Sequence, residues 1–414
     1  MWRAHLVTFG AFVPRRCAVA TLCDCICVVK SSDVARHHSP LELLVLADDR
    51  TGALETAGIC SDVGWGPVTV TVLGRSAEGG VVRLSIPSTT RATMVDIATR
   101  HLDPASAAER VGAVDLQGAR IVALKIDSTL RGNWATELAT VQSITGRRIV
   151  LVPAFPAVGR ICRDGEVFEH GRPVGEGTGR TDPRGSLPSS RPADYLRRAG
   201  VGDACELADA DELAVWLAHA SAGVAVCDAA NDSDLDALAN VWARADNVVF
   251  AGTARSIGAA ASALLTTGEG QRGESVVLRP PLPLPAIVVC GSLHEMARRQ
   301  IETMKHSSLA DSVTILSTPI PDSFPVSHDA AERAAQELLA RFEETASARR
   351  GSTLVIIGGD TAAAILGDDA MEVGGTVAPG VPWMYHGTQL VITRAGGFGN
   401  ELSLVGLFST KMDP

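Results

Sequence analysis

The chain has 414 residues, of which 46% are hydrophobic, 20% charged and 4% aromatic, with a formal net charge of -10. That length allows two or three domains with an aliphatic core. The acidic balance argues against a nucleic-acid or anionic-membrane partner, and no apolar run approaches the roughly 20 residues that span a bilayer.

The first forty residues differ from the rest, with five basic residues against two acidic ones and with Cys17, Cys23, Cys25 and Cys27 crowded together. Asp24 interrupts the one apolar stretch, so a signal peptide fits poorly. Residues 1–40 are expected to be a disordered or non-native extension. The other cysteines are scattered singly without a C-x-x-C pair, which suits reduced thiols in a cytoplasmic enzyme.

From Leu41 a βα rhythm begins. Leu43 to Ala47 reads as a strand buried on both faces. It leads into Asp48, Asp49, Thr51 and Gly52, where a helix starts. Further strands are predicted at Val68 to Leu73, Val81 to Ile86, Ile121 to Ile126, Ile149 to Pro153, Val224 to Cys227 and Val248 to Ala251. Helices are predicted at Ala92 to Leu102, Asn133 to Val141, Ala210 to Ala220, Leu235 to Ala245 and Ser256 to Leu265. Arg163 to Arg198 lacks periodicity and reads as a long loop. Residues 279–285, with four prolines, read as a stiff linker. Beyond it, strands are predicted at Ile287 to Cys290, Val313 to Leu316, Leu354 to Ile357 and Leu390 to Thr393, with helices at His294 to Met304 and His328 to Ala348. The fold class is α/β, with two domains (41–278 and 286–414), each a largely parallel or mixed sheet flanked by helices.

Most predicted strands end in polar or glycine-rich residues, the position where open α/β sheets bind ligands. Lys125, Asp127, Ser128, Arg131 and Asn133 fall within nine residues. Two cations, a carboxylate and a hydroxyl in that space suit a small polyhydroxylated carboxylate, since Arg grips carboxylates bidentately. Arg160 follows a loop stiffened by Pro153 and Pro156. In the second half, Gly358-Gly359-Asp360-Thr361 opens a helix after a strand, an arrangement whose bare amides suit phosphate. Gly291-Ser292 and Gly396-Gly397 are two further small-residue turns after strands. Substitution of Gly359 or Gly397 is expected to weaken nucleotide binding and to spare the acid. A P-loop is absent, and Gly268 to Gly273 matches G-x-G-x-x-G without following a strand, which disfavours a Rossmann oxidoreductase. Arg298 breaks the zincin pattern begun by His294-Glu295.

Taken together, Asp48 to Ala53, Lys125 to Asn133, Pro153 to Arg160, Gly291-Ser292, Gly358 to Thr361, Pro379 to Trp383 and Gly396 to Gly399 resemble the signatures of the four-carbon acid sugar kinase family. Asp360 stands where that family commonly has Glu, and Arg394 where it commonly has Lys. The resemblance implies an ATP- and Mg²⁺-dependent enzyme that phosphorylates threonate, erythronate or 3-oxo-tetronate on a terminal hydroxyl. Asp48 or Asp49 would orient and deprotonate that hydroxyl. Thr51, Lys125, Asp127, Ser128, Arg131, Asn133 and Arg160 would bind the sugar acid. Ser292, Gly358, Gly359, Asp360, Thr361, Gly396 and Gly397 would bind ATP, with no dedicated protein metal site. The resemblance is compatible with a homo-oligomer. The alternative is a non-catalytic sugar-acid sensor.

Overall fold

The computed structural model describes residues 42–74, 83–84, 90–176, 187–202, 204–267, 279–320, 328–348 and 351–409. The expected extension, residues 1–40, lies outside them, as does most of the strand predicted at Val81 to Ile86. Leu84 forms a single parallel bridge to Val114.

The first half supplies β1 (Leu43–Ala47), β2 (Val68–Val72), β3 (Ala92–Asp96), β4 (Ile121–Lys125) and β5 (Arg148–Val152). A small antiparallel sheet follows, of β6 (Arg160–Arg163), β7 (Glu166–Glu169) and β8 (Arg172–Pro173). Then come β9 (Ala204–Leu207), β10 (Val224–Cys227) and β11 (Val248–Gly252). The second half supplies β12 (Ala286–Cys290), β13 (Val313–Ser317), β14 (Thr353–Ile357), β15 (Met371–Ala378), β16 (Val381–His386) and β17 (Gln389–Arg394). Among the described residues, fourteen of these strands form one mixed sheet, ordered β13-β12-β14-β17-β16-β15-β2-β3-β1-β4-β11-β5-β10-β9. The run from β2 to β9 is parallel, as is the run from β13 to β17. β16 and β15 are antiparallel and join the two blocks, β15 pairing with β2.

The helices that matter for the site are α1 (Arg50–Cys60), α2 (Pro104–Gly112) and α3 (Trp134–Thr145) in the first block. The chain continues with α4 (Pro192–Arg198), α5 (Ala210–His219), α6 (Asp232–Trp242) and α7 (Ala254–Thr266). The second block has α8 (Glu295–Lys305), α9 (His328–Ala348) and α10 (Gly359–Leu366).

Three expectations need correction. Ala92 to Leu102 is not a helix. Ala92–Asp96 is β3, every residue buried and in register with β1, so pairing with a central strand overrides the helix-prone Ala and Met. The stretch from Arg163 to Arg198 is not a plain loop, since β7, β8 and α4 fall within it. In the second half, β15 and β16 went unpredicted. Gly374, Gly375 and two register shifts interrupt their alternation.

α1 is the element that both blocks share. All of its residues except Ile59 are buried. An added Cβ at Gly58 would lie 3.0 Å from both Pro382 Cβ and Thr376 Cγ2, so the second block packs directly on this helix. Arg50 Nε donates to Asp96 Oδ2 at 3.0 Å, and its Nη2 donates to the Gly367 carbonyl at 2.8 Å. Ser61 Oγ donates to the Val373 carbonyl at 2.8 Å. Burial raises the Asp96 carboxyl against the pull of Arg50.

Candidate functional site

In each parallel block the chain order reverses beside the first strand of that block. β1 lies between β3 and β4, and β12 lies between β13 and β14. Crevices beyond the carboxyl ends of such strands are where open α/β sheets take ligands. Asp48 and Asp49 follow β1, and Lys125 ends β4. Gly291-Ser292 follows β12, and Gly358 follows β14. Both polar clusters read from the sequence therefore occupy topological switch points.

The first cluster is built around a residue that sequence reasoning missed. Arg100 lies in the loop after β3. Its Nε donates to Asp48 Oδ2 at 2.7 Å and its Nη2 to Asp48 Oδ1 at 2.8 Å. The same Nη2 is 2.9 Å from Asp49 Oδ1 and 3.6 Å from Asp127 Oδ1. Burial alone would weaken the Arg100 cation, but these three carboxylates hold it well above its ordinary range. Asp49 also caps α1, accepting from Gly52 N–H at 3.1 Å through Oδ1. Its Oδ2 faces Gly359.

Asp127 accepts Arg131 Nε at 2.9 Å and Nη2 at 2.8 Å, and also receives Thr129 N–H at 3.1 Å. Burial would raise its carboxyl, yet Arg131, Arg100 and Lys125 together hold it well below the usual carboxylate range. Arg160 is buried. It donates to Ser128 Oγ at 3.0 Å and to Glu169 Oε1 at 2.6 Å through Nη2. Asn133 stands at the start of α3, where its Nδ2 donates to the Thr99 and Leu102 carbonyls, both at 2.8 Å. It fixes the loop that carries Arg100. Lys125 is buried beside Gly52, where an added Cβ would lie 2.6 Å from both Lys125 Nζ and Asp49 Oδ1. Any side chain there would have to displace one of these two charged groups.

The second cluster is glycine against hydroxyl. An added Cβ at Gly396 would fall 2.0 Å from Ser292 Oγ, and one at Gly291 would fall 2.2 Å from Thr361 Oγ1. Gly358 has φ +116°, a conformation open to glycine alone, and no side chain caps α10 behind it. Bare amides at an uncapped helix start suit a phosphate group. The cradle therefore fits a nucleotide's phosphates. His294 borders it, with Nδ1 accepting Met296 N–H at 3.1 Å. Burial, then Arg160 and Arg131, hold the imidazole below its ordinary value, so it is neutral. Arg394 lies buried beneath the glycine loop. Its Nη2 donates to the Phe398 carbonyl, and its Nε and Nη1 have no partner among the described residues. Burial pulls its guanidinium down to about 10.

The clusters meet. An added Cβ at Gly359 would lie 2.8 Å from Asp49 Oδ2 and 3.0 Å from Thr51 Oγ1. His101 Nε2 lies 3.3 Å from Asp360 Oδ1 across the same seam. Phe155 and Phe398 stack edge to face with centroids 5.8 Å apart, joining the loop before Arg160 to the glycine loop. The expectation that Gly359 and Gly397 behave alike is therefore revised. Gly359→Ala should impair acid and nucleotide binding together, because it pushes on Asp49. Gly396→Ala should cost about 1–3 kcal/mol of fit, felt as weaker ATP binding with the acid still bound. Calorimetry with each ligand checks this, and equal losses for Gly396→Ala would contradict it.

Sequence reasoning missed Arg100 and His294 as site groups, and it marked Arg394 only as a departure from the family's pattern. Arg394 directly precedes a glycine loop at a strand end, which was a usable signal. Arg100 was hidden by the helix expected over its strand. Among the described residues no helix is long and apolar enough to cross a membrane.

Comparison with known proteins matches two segments of the chain. Residues 43–261 match the model of a sugar-binding N-terminal domain, and residues 324–404 that of a nucleotide-binding C-terminal domain. The chain is 30% identical to the D-threonate kinase of Cupriavidus necator, covering 87% of this chain and 96% of that protein. It is 25% identical to the 3-oxo-tetronate kinase of Methylobacterium radiotolerans, over 87% of this chain and 96% of that one. A solved structure from Salmonella typhimurium LT2 shares the fold, with TM-score 0.65 and 21% identity over 91% of this chain and 100% of that chain.

Proposed function

The chain belongs to the four-carbon acid sugar kinase family, and from that premise we propose that it transfers the γ-phosphoryl group of ATP to the terminal hydroxyl of a four-carbon acid sugar. Threonate, erythronate and 3-oxo-tetronate are the candidate acceptors. The observation that carries this reading is the contact of the two switch-point clusters, with Gly359 against Asp49 and Thr51. Direct transfer needs donor and acceptor held within a few ångströms of each other, and this seam supplies such a place.

The roles follow from which atoms are already engaged. Both oxygens of Asp48 are held by Arg100, so Asp48 organises the site. Asp49 spends Oδ1 on Gly52 and Arg100 and turns Oδ2 toward the phosphate turn. It is the better placed to orient the attacking hydroxyl and take its proton. Lys125, Arg131 and Arg160 supply the positive charge for the acid's carboxylate, with Thr51, Asp127, Ser128 and Asn133 shaping the pocket. Ser292, Gly358, Gly359, Thr361, Gly396 and Gly397 form the phosphate cradle, and Asp360 sits at its rim against His101. The buried charge of Arg394 lies under that cradle and favours an anion above it. Mg²⁺ would arrive on the nucleotide's phosphates and neutralise their charge.

The test is ATP consumption by the purified protein with Mg²⁺ against a panel of four-carbon acids. Turnover of at least one acid is expected. Tight binding of an acid with no turnover of any would leave a sugar-acid sensor instead.

A further inference from the structure

Glu55 is a charged residue type buried inside α1, and no role in the reaction described above uses it. It lies one turn beyond Gly52, on the same face of the helix, and Gly52 is the residue pressed between Asp49 and Lys125. Only 4% of Glu55 is exposed. Its Oε1 is fully enclosed and has no hydrogen-bond partner among the described residues. An added Cβ at Gly380 would come within 3.0 Å of that oxygen and within 2.8 Å of the Phe398 ring. A side chain at Gly380 would therefore crowd the carboxyl. A buried polar atom without a partner costs about 1–3 kcal/mol, a cost that a bound ligand can remove.

We propose, building on the kinase reading, that Glu55 is a specificity residue that hydrogen-bonds a non-reacting hydroxyl of the sugar acid and so selects acids that carry it. The groups that face Glu55 support this. Burial pushes its carboxyl up to about 8, Lys125 and Arg160 pull it down, and Asp49 and Asp127 push it further up. Gly380 and Phe398, on the other side, carry no charge. At neutral pH Glu55 is thus protonated and offers both an O–H donor and a carbonyl acceptor, a match for a hydroxyl and a poor one for a second carboxylate. Sites built to hydrogen-bond a hydroxyl reject analogues lacking it far better than apolar pockets reject added bulk.

The experiment compares kcat/KM for the preferred tetronate with that for its 2-deoxy and 3-deoxy analogues, both of which keep the terminal hydroxyl. The ratio cancels the folded fraction of each variant. Glu55→Ala should shrink the discrimination against one of the two analogues by about tenfold or more. Glu55→Gln, a neutral isostere, should keep most of it. In the parent the ratio should decline above about pH 8 as Glu55 ionises, and in Glu55→Gln it should stay flat. Parent-like ratios in Glu55→Ala would overturn the proposal. If Glu55→Ala does not fold, equal pH profiles in the parent and Glu55→Gln would overturn it. If the parent turns over no acid, the kinase reading fails and the same ratios are read from calorimetric affinities. Binding of no acid at all would remove the proposal along with that reading.

Discussion

Arg100→Ala is expected to destabilise the protein by about 3–5 kcal/mol, the usual cost of removing one partner from a buried charge pair. The cost should lie at the upper end, because Arg100 serves Asp48, Asp49 and Asp127 at once. Without it, three carboxylates share one crevice with only Lys125 and Arg131 to balance them. Arg100→Lys should rescue little, since a point charge cannot reproduce two parallel bonds to Asp48 together with a contact to Asp49. The pH dependence has a definite sign. A carboxyl held well below its ordinary value, as Asp127 is, contributes stability above the unfolded value of about 3.9 and loses it as pH falls through the folded one. Arg100→Ala removes part of that contribution. The gap between parent and variant should therefore be widest near neutrality and should narrow below about pH 4. Urea unfolding at several pH values measures it. A variant with the parent's midpoint at pH 7 would show that the acidic cluster does not depend on this cation.

What was legible in the sequence was what a short stretch of chain determines for itself. β1, β4, β5, β12 and β14 are nearly continuous runs of Leu, Val, Ile and Ala because both faces of a central parallel strand are buried. The polar residues at their ends stood out against those runs, so Asp48, Lys125, Asp127, Ser292 and Gly358 could be named. β3 was lost because its five residues also suit a helix, and only pairing with β1 decides between the two. Arg100 was lost with it. Glu55 was hidden for another reason. A Glu in a helix is ordinarily solvated, and its burial here depends on Gly380 and Phe398, more than 300 residues later in the chain. The contact of Gly359 with Asp49 has the same long-range origin. No local pattern signals that the Gly-Gly turn of one block closes on the paired aspartates of the other.

The final expectation separates catalysis from binding within this cluster. Asp49→Asn should lower kcat by about 10²–10⁴, the range for loss of a positioned acid–base group, with little change in KM for the acid. The substitution is mild for the fold, because Asn is as good an N-cap as Asp and can still accept from Gly52 N–H. What it removes is the negative Oδ2 that faces the phosphate turn, and a group acting on the developing alkoxide is felt mainly in the transition state. Arg131→Ala should behave in the opposite way. Arg131 is partly exposed and grips Asp127 with two hydrogen bonds, so it can present its charge to an incoming carboxylate without reaching the reacting atoms. Its loss removes binding from ground and transition states alike and should raise KM about 10- to 100-fold, the equivalent of a charged hydrogen bond worth about 1.5–3 kcal/mol. Steady-state kinetics on both variants, with ATP saturating, reads the split directly. If Asp49→Asn raises KM as much as Arg131→Ala does and leaves kcat near the parent's, Asp49 only binds. The proton must then pass to another group, and among the neighbouring carboxyls both oxygens of Asp48 are already taken by Arg100.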